Sequence, residues 1–163
     1  MEDDSDKYLF NELEECSAGE VRRMAVDLQS ERIKQLQRAA SSFKSGNLTG
    51  RSCAAFYSDE GQALAPKITQ LNRVAAEKIY AEKNPYGLHC NKLDLHHLTV
   101  AEAQTVTKAF LEVHKSSTVQ IVTGRGNHSL DGSCKLSTAI WNFLRSGKRN
   151  FSFDGIATFT INP

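Results

Sequence analysis

The sequence predicts an α/β protein whose C-terminal half is a two-layer sandwich and whose N-terminal half is an α-helical hairpin or extension. From residue 92 onward, short β-type segments alternate with helical patterns in the order β-α-β-α-β-β. Strands that alternate with helices favour a sheet that contains a parallel pair, with helices packed against it. Only helical patterns precede residue 84, and the breaker cluster N-P-Y-G at residues 84–87 separates the two halves.

The N-terminal half carries three helical patterns. The first begins with the capping box S-A-G-E at Ser17 and runs to about Lys44. The second covers about residues 49–57, and the third covers residues 58–83 with the serine at its start as N-cap. Pro66 falls early in the third pattern, so we expect it to kink that helix or to mark its true start.

The C-terminal half begins with the strand K-L-D-L-H at residues 92–96. The capping box T-V-A-E at Thr99 then starts a helix that runs to about residue 115. A β-branched strand, a loop, a helix and two short strands complete the pattern, at residues 118–123, 124–133, 135–145, 150–153 and 155–161. We therefore divide the chain into an acidic flexible tail, a helical domain, a linker and an α/β domain, at residues 1–19, 20–84, 85–91 and 92–163.

The composition is ordinary for a soluble globular protein, with 40% apolar and 24% charged residues. No apolar run approaches the roughly 18 residues of a membrane span, and the acidic N-terminus lacks the pattern of a signal peptide. The four cysteines are far apart and form no C-x-x-C pair, so neither a zinc site nor a disulfide framework is expected. We expect a cytoplasmic protein with no cofactor, no metal and no membrane partner.

The formal net charge of +1 conceals an uneven distribution of charge along the chain. Residues 1–20 carry eight acids and one base, which leaves 19 bases and 11 acids in the rest of the chain, a net of +8. A body with this charge could attract a polyanion, but a merely soluble surface explains it equally well.

Residues with catalytic potential gather at the predicted ends of the first two strands. Asp94 and His96 alternate along the first strand and therefore point to the same face of it. The second strand leads into Gly124, Arg125 and Gly126, where the glycines allow a tight turn and the arginine offers a fork suited to phosphate. If the two strands are parallel neighbours, both segments open onto the same edge of the sheet.

Further polar groups surround this predicted site. Asn127 and His128 add hydrogen-bond donors, and Lys135 lies near the start of the next helix, where free N–H groups also favour an anion. Each feature alone has an ordinary explanation, since a G-x-G loop is most often a turn and a histidine beside an aspartate is more often structural than catalytic. The coincidence of both motifs at adjacent strand ends favours a functional site.

The C-terminal half resembles a Small MutS-related (Smr) domain over about residues 92–163. The resemblance rests on LDLHHLTVAEA, which is similar to the family's L-D-L-H-G motif and following helix, on VQIVTGRGNHS, and on the closing strand GIATFTIN. Residues from about 21 to 84 resemble the helical segment of unknown function that often precedes Smr domains. The form TGRGNHS is most similar to eukaryotic Smr proteins that also carry ubiquitin-binding CUE domains, including the no-go decay endonucleases.

The resemblance implies a fold like the C-terminal domain of bacterial translation initiation factor three, and nuclease activity on RNA. Asp94, His96 and Arg125 match the family's D-x-H pair and loop arginine, which implies a catalytic role for them. The glycine that usually follows L-D-L-H is His97 here, and a side chain at this turn would either crowd the site or add a contact. The residues expected to contact nucleic acid are His97, Gly124, Gly126, Asn127, His128 and Lys135.

These residues predict metal-independent cleavage with the RNA 2′-hydroxyl as nucleophile. His96 would act as general base or acid, since the pKa of an ordinary imidazole is about 6.5. Asp94 would orient the imidazole or share the proton transfer. Arg125 and the N–H groups of its turn would stabilise charge on the phosphate. The implied setting is messenger RNA at stalled or collided ribosomes, with ubiquitin binding supplied by segments outside this chain or by partners.

Three alternatives are compatible with the sequence. A non-catalytic RNA- or ribosome-binding module would use the same basic surface and G-R-G loop. A DNA-nicking endonuclease, as in some bacterial members of the family, would need a mechanism independent of the 2′-hydroxyl. A metal-dependent nuclease would use Asp94 as a ligand.

Overall fold

The computed structural model describes residues 13–124 and 135–163. The chain divides into two compact units, Met1–Lys78 and Ile79–Pro163. Arg125, Gly126, Asn127 and His128 lie outside the described residues.

Two long helices form most of the first unit, α1 at Ala18–Lys44 and α2 at Leu48–Lys83, whose last turn belongs to the second unit. The capping box predicted at the start of α1 is confirmed. Ser17 Oγ accepts a hydrogen bond from the Glu20 N–H at 3.3 Å, and the Glu20 carboxylate accepts one from the Ser17 N–H at 2.7 Å. This exchange satisfies N–H groups that the first helical turn leaves without a partner.

The two helices pack against each other as an antiparallel hairpin. Arg22 Nη1 near the start of α1 donates to Asn72 Oδ1 late in α2 at 2.7 Å. Gly61 packs so closely on Leu36 that an added Cβ would lie 3.1 Å from its Cδ2. Their apolar stripes enclose a small core together with residue 13, built from Leu13, Val21, Ala25, Leu71, Val74 and Ala75.

The prediction of two separate helices at residues 49–57 and 58–83 is wrong, because α2 is continuous over 36 residues. Ser58 does not cap a helix, and its Oγ instead accepts a hydrogen bond from Gln62 Nε2 one turn later, at 3.1 Å. Pro66 lies inside α2 and does not mark its start. A proline removes one backbone donor, and packing against α1 on both sides of it, at Gly61 and Leu71, offsets that loss.

Within its described residues, the second unit contains four strands and two further α-helices in the predicted order. They are β1 Lys92–Asp94, α3 Val100–Val113, β2 Val119–Val122, α4 Lys135–Ser146, β3 Asn150–Phe153 and β4 Thr158–Asn162. The strands form one sheet in the order β1-β2-β4-β3. β1 and β2 are parallel and the other pairs are antiparallel, so the α/β fold class and its parallel pair are confirmed.

One face of this sheet forms the core of the second unit. Alternate strand residues are buried on it, namely Leu93, Val119, Ile121, Phe159 and Ile161. Apolar residues of α3 and α4 are buried with them, namely Ala103, Phe110, Leu111, Ile140 and Leu144. Trp141 of α4 packs edge-on against Phe151 of β3, with ring centroids 5.1 Å apart. The apolar residues that alternate along the strands therefore pack against the apolar stripes of the two helices in one layer.

The segment between α2 and β1 is held to the second unit by hydrogen bonds. It contains a short 3-10 turn, Gly87–His89. His114, which follows α3, donates from Nε2 to the backbone oxygen of Leu88 at 2.7 Å. Asn84 binds the end of β1, as described below, so this connection is fixed at both ends.

Candidate active site

The strand β1 ends at Asp94, and a tight turn follows it. The Leu98 N–H donates to the Leu95 oxygen at 3.1 Å, which makes residues 95–98 a β-turn. The predicted strand through residue 96 is therefore too long, and His96 is a turn residue. Asp94 and His96 lie together because the chain turns, and the alternation of an extended strand is not the cause.

A carboxylate–imidazole pair occupies this strand end. Asp94 Oδ1 accepts a hydrogen bond from the His96 backbone N–H at 3.0 Å and is also hydrogen-bonded to His96 Nδ1. The two side chains are 24% and 32% exposed, respectively, so both reach the surface while remaining fixed. Since Nδ1 is engaged by the carboxylate, Nε2 is the ring nitrogen left for proton exchange with a substrate.

The parallel pairing of β1 with β2 brings Gly124 against the histidine. Asp94 pairs with Val122, and Gly124 follows two residues after the end of β2. Its φ angle is +80°, and an added Cβ would lie 3.2 Å from the Cβ of His96. Glycine therefore serves both the left-handed backbone and the close approach to His96. The predicted meeting of the two strand ends is thus observed at Gly124.

Buried hydroxyl groups fix both flanks of the segment that leads from β2 to α4. Thr123 Oγ1 is hydrogen-bonded to Ser137 Oγ and donates to the Ala157 oxygen at 3.1 Å. Both Thr123 and Ser137 are buried. Lys135 is the first residue of α4, as the sequence predicts, and its side chain is exposed.

Asn84, which the sequence indicates only as part of the breaker cluster at residues 84–87, supports the site. Its side-chain oxygen accepts from the Asp94 N–H at 2.8 Å, and its amide donates to the Asp94 backbone oxygen at 2.9 Å. A second donation reaches the Tyr80 oxygen at 3.2 Å. This buried side chain therefore pairs with β1 as a neighbouring strand would. Nothing in the sequence near residue 84 indicates a partner ten residues away.

His97 occupies a backbone conformation that disfavours side chains. Its φ angle is +69°, at the third position of the turn, where a type II turn prefers glycine. The exposed ring lies against that of His96, with centroids 4.5 Å apart. The hydrogen bond from Lys83 lowers the pKa of the nearby Glu82 carboxyl, with smaller contributions from His97 and His96.

Within residues 13–124 and 135–163, no cluster of three or more His, Cys, Asp or Glu side chains is arranged to hold a metal ion. Over the same ranges, none of the helices combines the length and apolar character needed to cross a membrane.

The fold and site define a helical hairpin followed by a small α/β domain with an Asp–His pair at the carboxyl ends of two parallel strands. Comparison with protein families matches residues 19–84 to a domain of unknown function, DUF1771, and residues 93–155 to the Smr domain. The chain therefore belongs to the Smr-domain proteins, with a DUF1771 helical domain in front of its Smr domain.

Two curated relatives share much of this chain. NEDD4-binding protein 2 of Homo sapiens is 30% identical over 76% of this chain. The matched region is 7% of the length of that human protein. Endonuclease NBR9 of Saccharomyces cerevisiae is 26% identical over 80% of the chain, which spans 54% of it. Among solved structures, the B3BP Smr domain is 30% identical, covers 56% of the chain and 94% of its own, and gives a TM-score of 0.46.

Proposed function

We propose that this protein is an endoribonuclease that cleaves RNA through attack of a 2′-hydroxyl on the adjacent phosphate. The observation that carries the proposal is the hydrogen bond between Asp94 and His96 Nδ1, which leaves Nε2 available at the ends of two parallel strands. A fixed carboxylate–imidazole pair is suited to general acid–base catalysis. The name of the yeast relative, an endonuclease, supports the same class of activity.

The reaction would proceed by transfer of one proton and exchange of one P–O bond. His96 Nε2 takes the proton from the 2′-hydroxyl, and the resulting oxygen nucleophile forms a bond to phosphorus. The P–O5′ bond breaks, and the 5′-oxygen leaves after receiving a proton from the protonated imidazole or from water. The products are a 2′,3′-cyclic phosphate and a 5′-hydroxyl. Asp94 holds the imidazole in one tautomer and stabilises its protonated form.

The loop after β2 supplies charge for the phosphate in this proposal. Gly124 already lies against His96, and Arg125 is its neighbour in the chain. The Arg125 guanidinium would stabilise negative charge that develops on the phosphate oxygens, since it is planar and permanently charged. Gly126, Asn127, His128 and Lys135 remain proposed contacts to nucleic acid, as does His97.

The proposed substrate is messenger RNA at stalled or collided ribosomes in the cytoplasm. Support comes from the TGRGNHS motif, which is most similar in form to that of no-go decay endonucleases. The chain spans about half of the yeast relative and a small part of the human one, so ribosome and ubiquitin recognition are assigned here to other segments or partners.

The decisive experiment is cleavage of end-labelled RNA and a DNA of the same sequence, followed by analysis of the new ends. We expect the unaltered chain to cut RNA to 2′,3′-cyclic phosphate and 5′-hydroxyl ends and to leave DNA intact. His96→Ala and Asp94→Ala should abolish cutting while retaining RNA binding. His89→Ala is the matched control, because this exposed histidine lies outside the Asp94–His96 pair, and it should cut normally.

Other outcomes assign the protein to the alternative classes. Products with 5′-phosphate ends, or loss of cutting in EDTA, indicate a metal mechanism. Cutting of both RNA and DNA indicates a nicking enzyme that does not need the 2′-hydroxyl. Binding without cutting, weakened by Arg125→Ala, indicates a non-catalytic RNA-binding module.

A further inference from the structure

A pocket beside β1 shares Asp94 with the candidate active site. It has a volume of about 230 Å³ and is lined by Lys83, Asn84, Pro85, Tyr86, Lys92 and Asp94, among others. This pocket lies beside β1, which is one of the two edge strands of the sheet among the described residues. Lys92 and Asp94 are two residues apart on β1, so they point to the same side of the strand. A molecule in this pocket would therefore lie next to the Asp94–His96 pair.

The chemistry of the lining suits one unpaired nucleotide. Tyr86 is 77% exposed and stands at the start of the 3-10 turn, so its ring is accessible to a ligand. The Gly87 N–H donates to the Asn84 oxygen at 2.9 Å, so the backbone that carries this ring is held in a turn. Aromatic rings of this kind bind single-stranded nucleic acid by stacking on a base.

Two lysines border the same pocket, together with the carboxylate of Asp94. Lys92 is exposed at the first position of β1, and Lys83 ends α2 beside the pocket with its ammonium 2.6 Å from Glu82 Oε1. Lysine ammonium groups next to an aromatic ring reproduce the usual combination for single strands, in which cations follow the phosphates while rings take the bases. A volume of 230 Å³ is below that of drug-sized pockets, so it matches a single base better than a larger ligand.

We propose that this pocket, defined by Lys83, Asn84, Tyr86, Lys92 and Asp94, binds the nucleotide adjacent to the scissile phosphate, with its base stacked on Tyr86 and its phosphate near Lys92. The inference rests on the proposed ribonuclease function and names its substrate as RNA that is single-stranded next to the cut. A paired base cannot stack on a protein ring without leaving its duplex, so fully double-stranded RNA is a poor substrate.

The first test compares Tyr86→Ala with Tyr86→Phe in steady-state cleavage of a single-stranded RNA. Loss of a base–aromatic stack is worth about 1–3 kcal/mol, so Tyr86→Ala should raise KM about 5- to 150-fold. Tyr86→Phe retains the ring and should cut with nearly unchanged KM. The value of kcat should stay within about twofold in both variants, because the reacting groups are untouched. Equal KM values for all three proteins would overturn the proposal.

The second test removes the base instead of the ring. RNA with an abasic nucleotide next to the cut should have a raised KM for the unaltered protein but little further increase for Tyr86→Ala. This non-additivity identifies a direct pair. If the two losses add in full, the base does not stack on Tyr86 and the proposal fails.

A third pair of variants separates the pocket lysine from general charge. Lys92→Ala should raise KM, whereas Lys115→Ala should leave it within about twofold. Lys115 is an exposed lysine whose ammonium lies 2.8 Å from Glu112, in the connection that leads to the start of β2. Equal effects of both substitutions would mean that only net charge matters, which contradicts a built phosphate contact.

A binding assay keeps this inference distinguishable from the ribonuclease proposal. Single-stranded RNA is titrated into His96→Ala and into the double variant with Tyr86→Ala, with fluorescence anisotropy as the readout. If the unaltered protein never cuts RNA but Tyr86→Ala still weakens binding fivefold or more, the pocket stands and the ribonuclease function fails. If RNA is cut and Tyr86→Ala changes neither KM nor binding, the ribonuclease function stands and the pocket fails.

Discussion

At the scale of single residues, a carboxylate and an imidazole can act together in proton transfer when the local backbone holds them in a fixed orientation. Asp94 Oδ1 receives both the backbone N–H and the ring of His96, so a single oxygen sets the position of the histidine. The next residue, His97, carries the cost of that turn, because its φ angle of +69° lies in the left-handed region.

Replacement of His97 by glycine should stabilise the second unit. A side chain in the left-handed region costs about 1–2 kcal/mol, while the extra freedom of glycine in the unfolded chain costs about 0.4–1 kcal/mol. We expect a net gain of about 1 kcal/mol, measured by urea unfolding. The fluorescence of Trp141 is the readout, because it is the sole tryptophan and packs in this unit.

His97→Ala is the control for the glycine substitution. It removes the imidazole but retains a Cβ at the same φ angle, so it should not give the same gain. Equal stabilisation by alanine and glycine would mean that the ring, and not the backbone, is the source of strain.

Asn84→Ala should lower both stability and cleavage. The substitution leaves the N–H and the oxygen of Asp94 without their present partners, and an unsatisfied buried group costs about 1–3 kcal/mol. We expect a loss of about 2 kcal/mol in urea unfolding and a lower kcat, because the backbone beneath the Asp94–His96 pair loosens. Asn84→Asp retains an acceptor for the Asp94 N–H but sets a carboxylate against the Tyr80 and Asp94 oxygens, so it should not restore the stability of the unaltered protein. An unchanged kcat in Asn84→Ala would show that this side chain does not position the site.

At the scale of elements, the site depends on how the ends of β1 and β2 meet. Gly124→Ala should place a methyl group against His96 and also introduce left-handed strain. Gly155→Ala is a matched control, because Gly155 has a φ angle of +78° but no atom within 4 Å of an added Cβ. Both should lose about 1 kcal/mol of stability. Only Gly124→Ala should reduce kcat, and equal kcat values would argue against close packing at His96.

The β3–β4 hairpin should lose stability in acid through Asp154. Its carboxylate accepts from the N–H groups of Ile156, Ala157 and Thr158 at 2.8, 2.9 and 3.0 Å, and these bonds lower its pKa from 3.8 to about 2. A lowered folded-state pKa means that the stabilisation is complete above the unfolded-state value of 3.8. It is lost as pH falls through about 2.

Asp154→Asn tests this pH dependence. The variant should unfold at lower urea concentration than the unaltered protein at pH 7, and the gap should narrow between pH 4 and pH 2. Trp141 fluorescence reports the transition in both proteins. A gap that stays constant across this window would show that ionisation of Asp154 does not stabilise the hairpin.

The sequence predicts a helix start well where the residues that determine it are adjacent in the chain. The capping boxes at Ser17 and Thr99 mark the true starts of α1 and α3. The predicted helix boundary at Ser58 is wrong, because packing of α2 against α1 stabilises a continuous helix there and outweighs the local preference of serine for a helix start. The sequence correctly predicts that Asp94 and His96 lie together, but the predicted reason is wrong, since a turn and not an extended strand brings them together. Asn84 was missed because its partner lies ten residues away.

At the scale of the whole molecule, the distribution of charge bears on any RNA partner. Residues 21–163 carry a formal net charge of +8, whereas the first 20 residues carry eight acids and one base. A polyanion is attracted to the former and repelled by the latter, and both effects weaken as salt screens them. The acidic segment should therefore lower the affinity of the body of the chain for RNA.

Removal of residues 1–12 should raise RNA affinity at low salt. These residues hold five acids and one base, so their loss changes the formal net charge from +1 to +5. We expect binding a few-fold tighter at 50 mM salt and a much smaller difference at 500 mM, measured by fluorescence anisotropy with labelled single-stranded RNA. A chain of unchanged length, with the five acids replaced by their amides, should behave as the deletion does. If only the deletion tightens binding, the segment obstructs RNA by its bulk, whereas equal gains assign the effect to its charge.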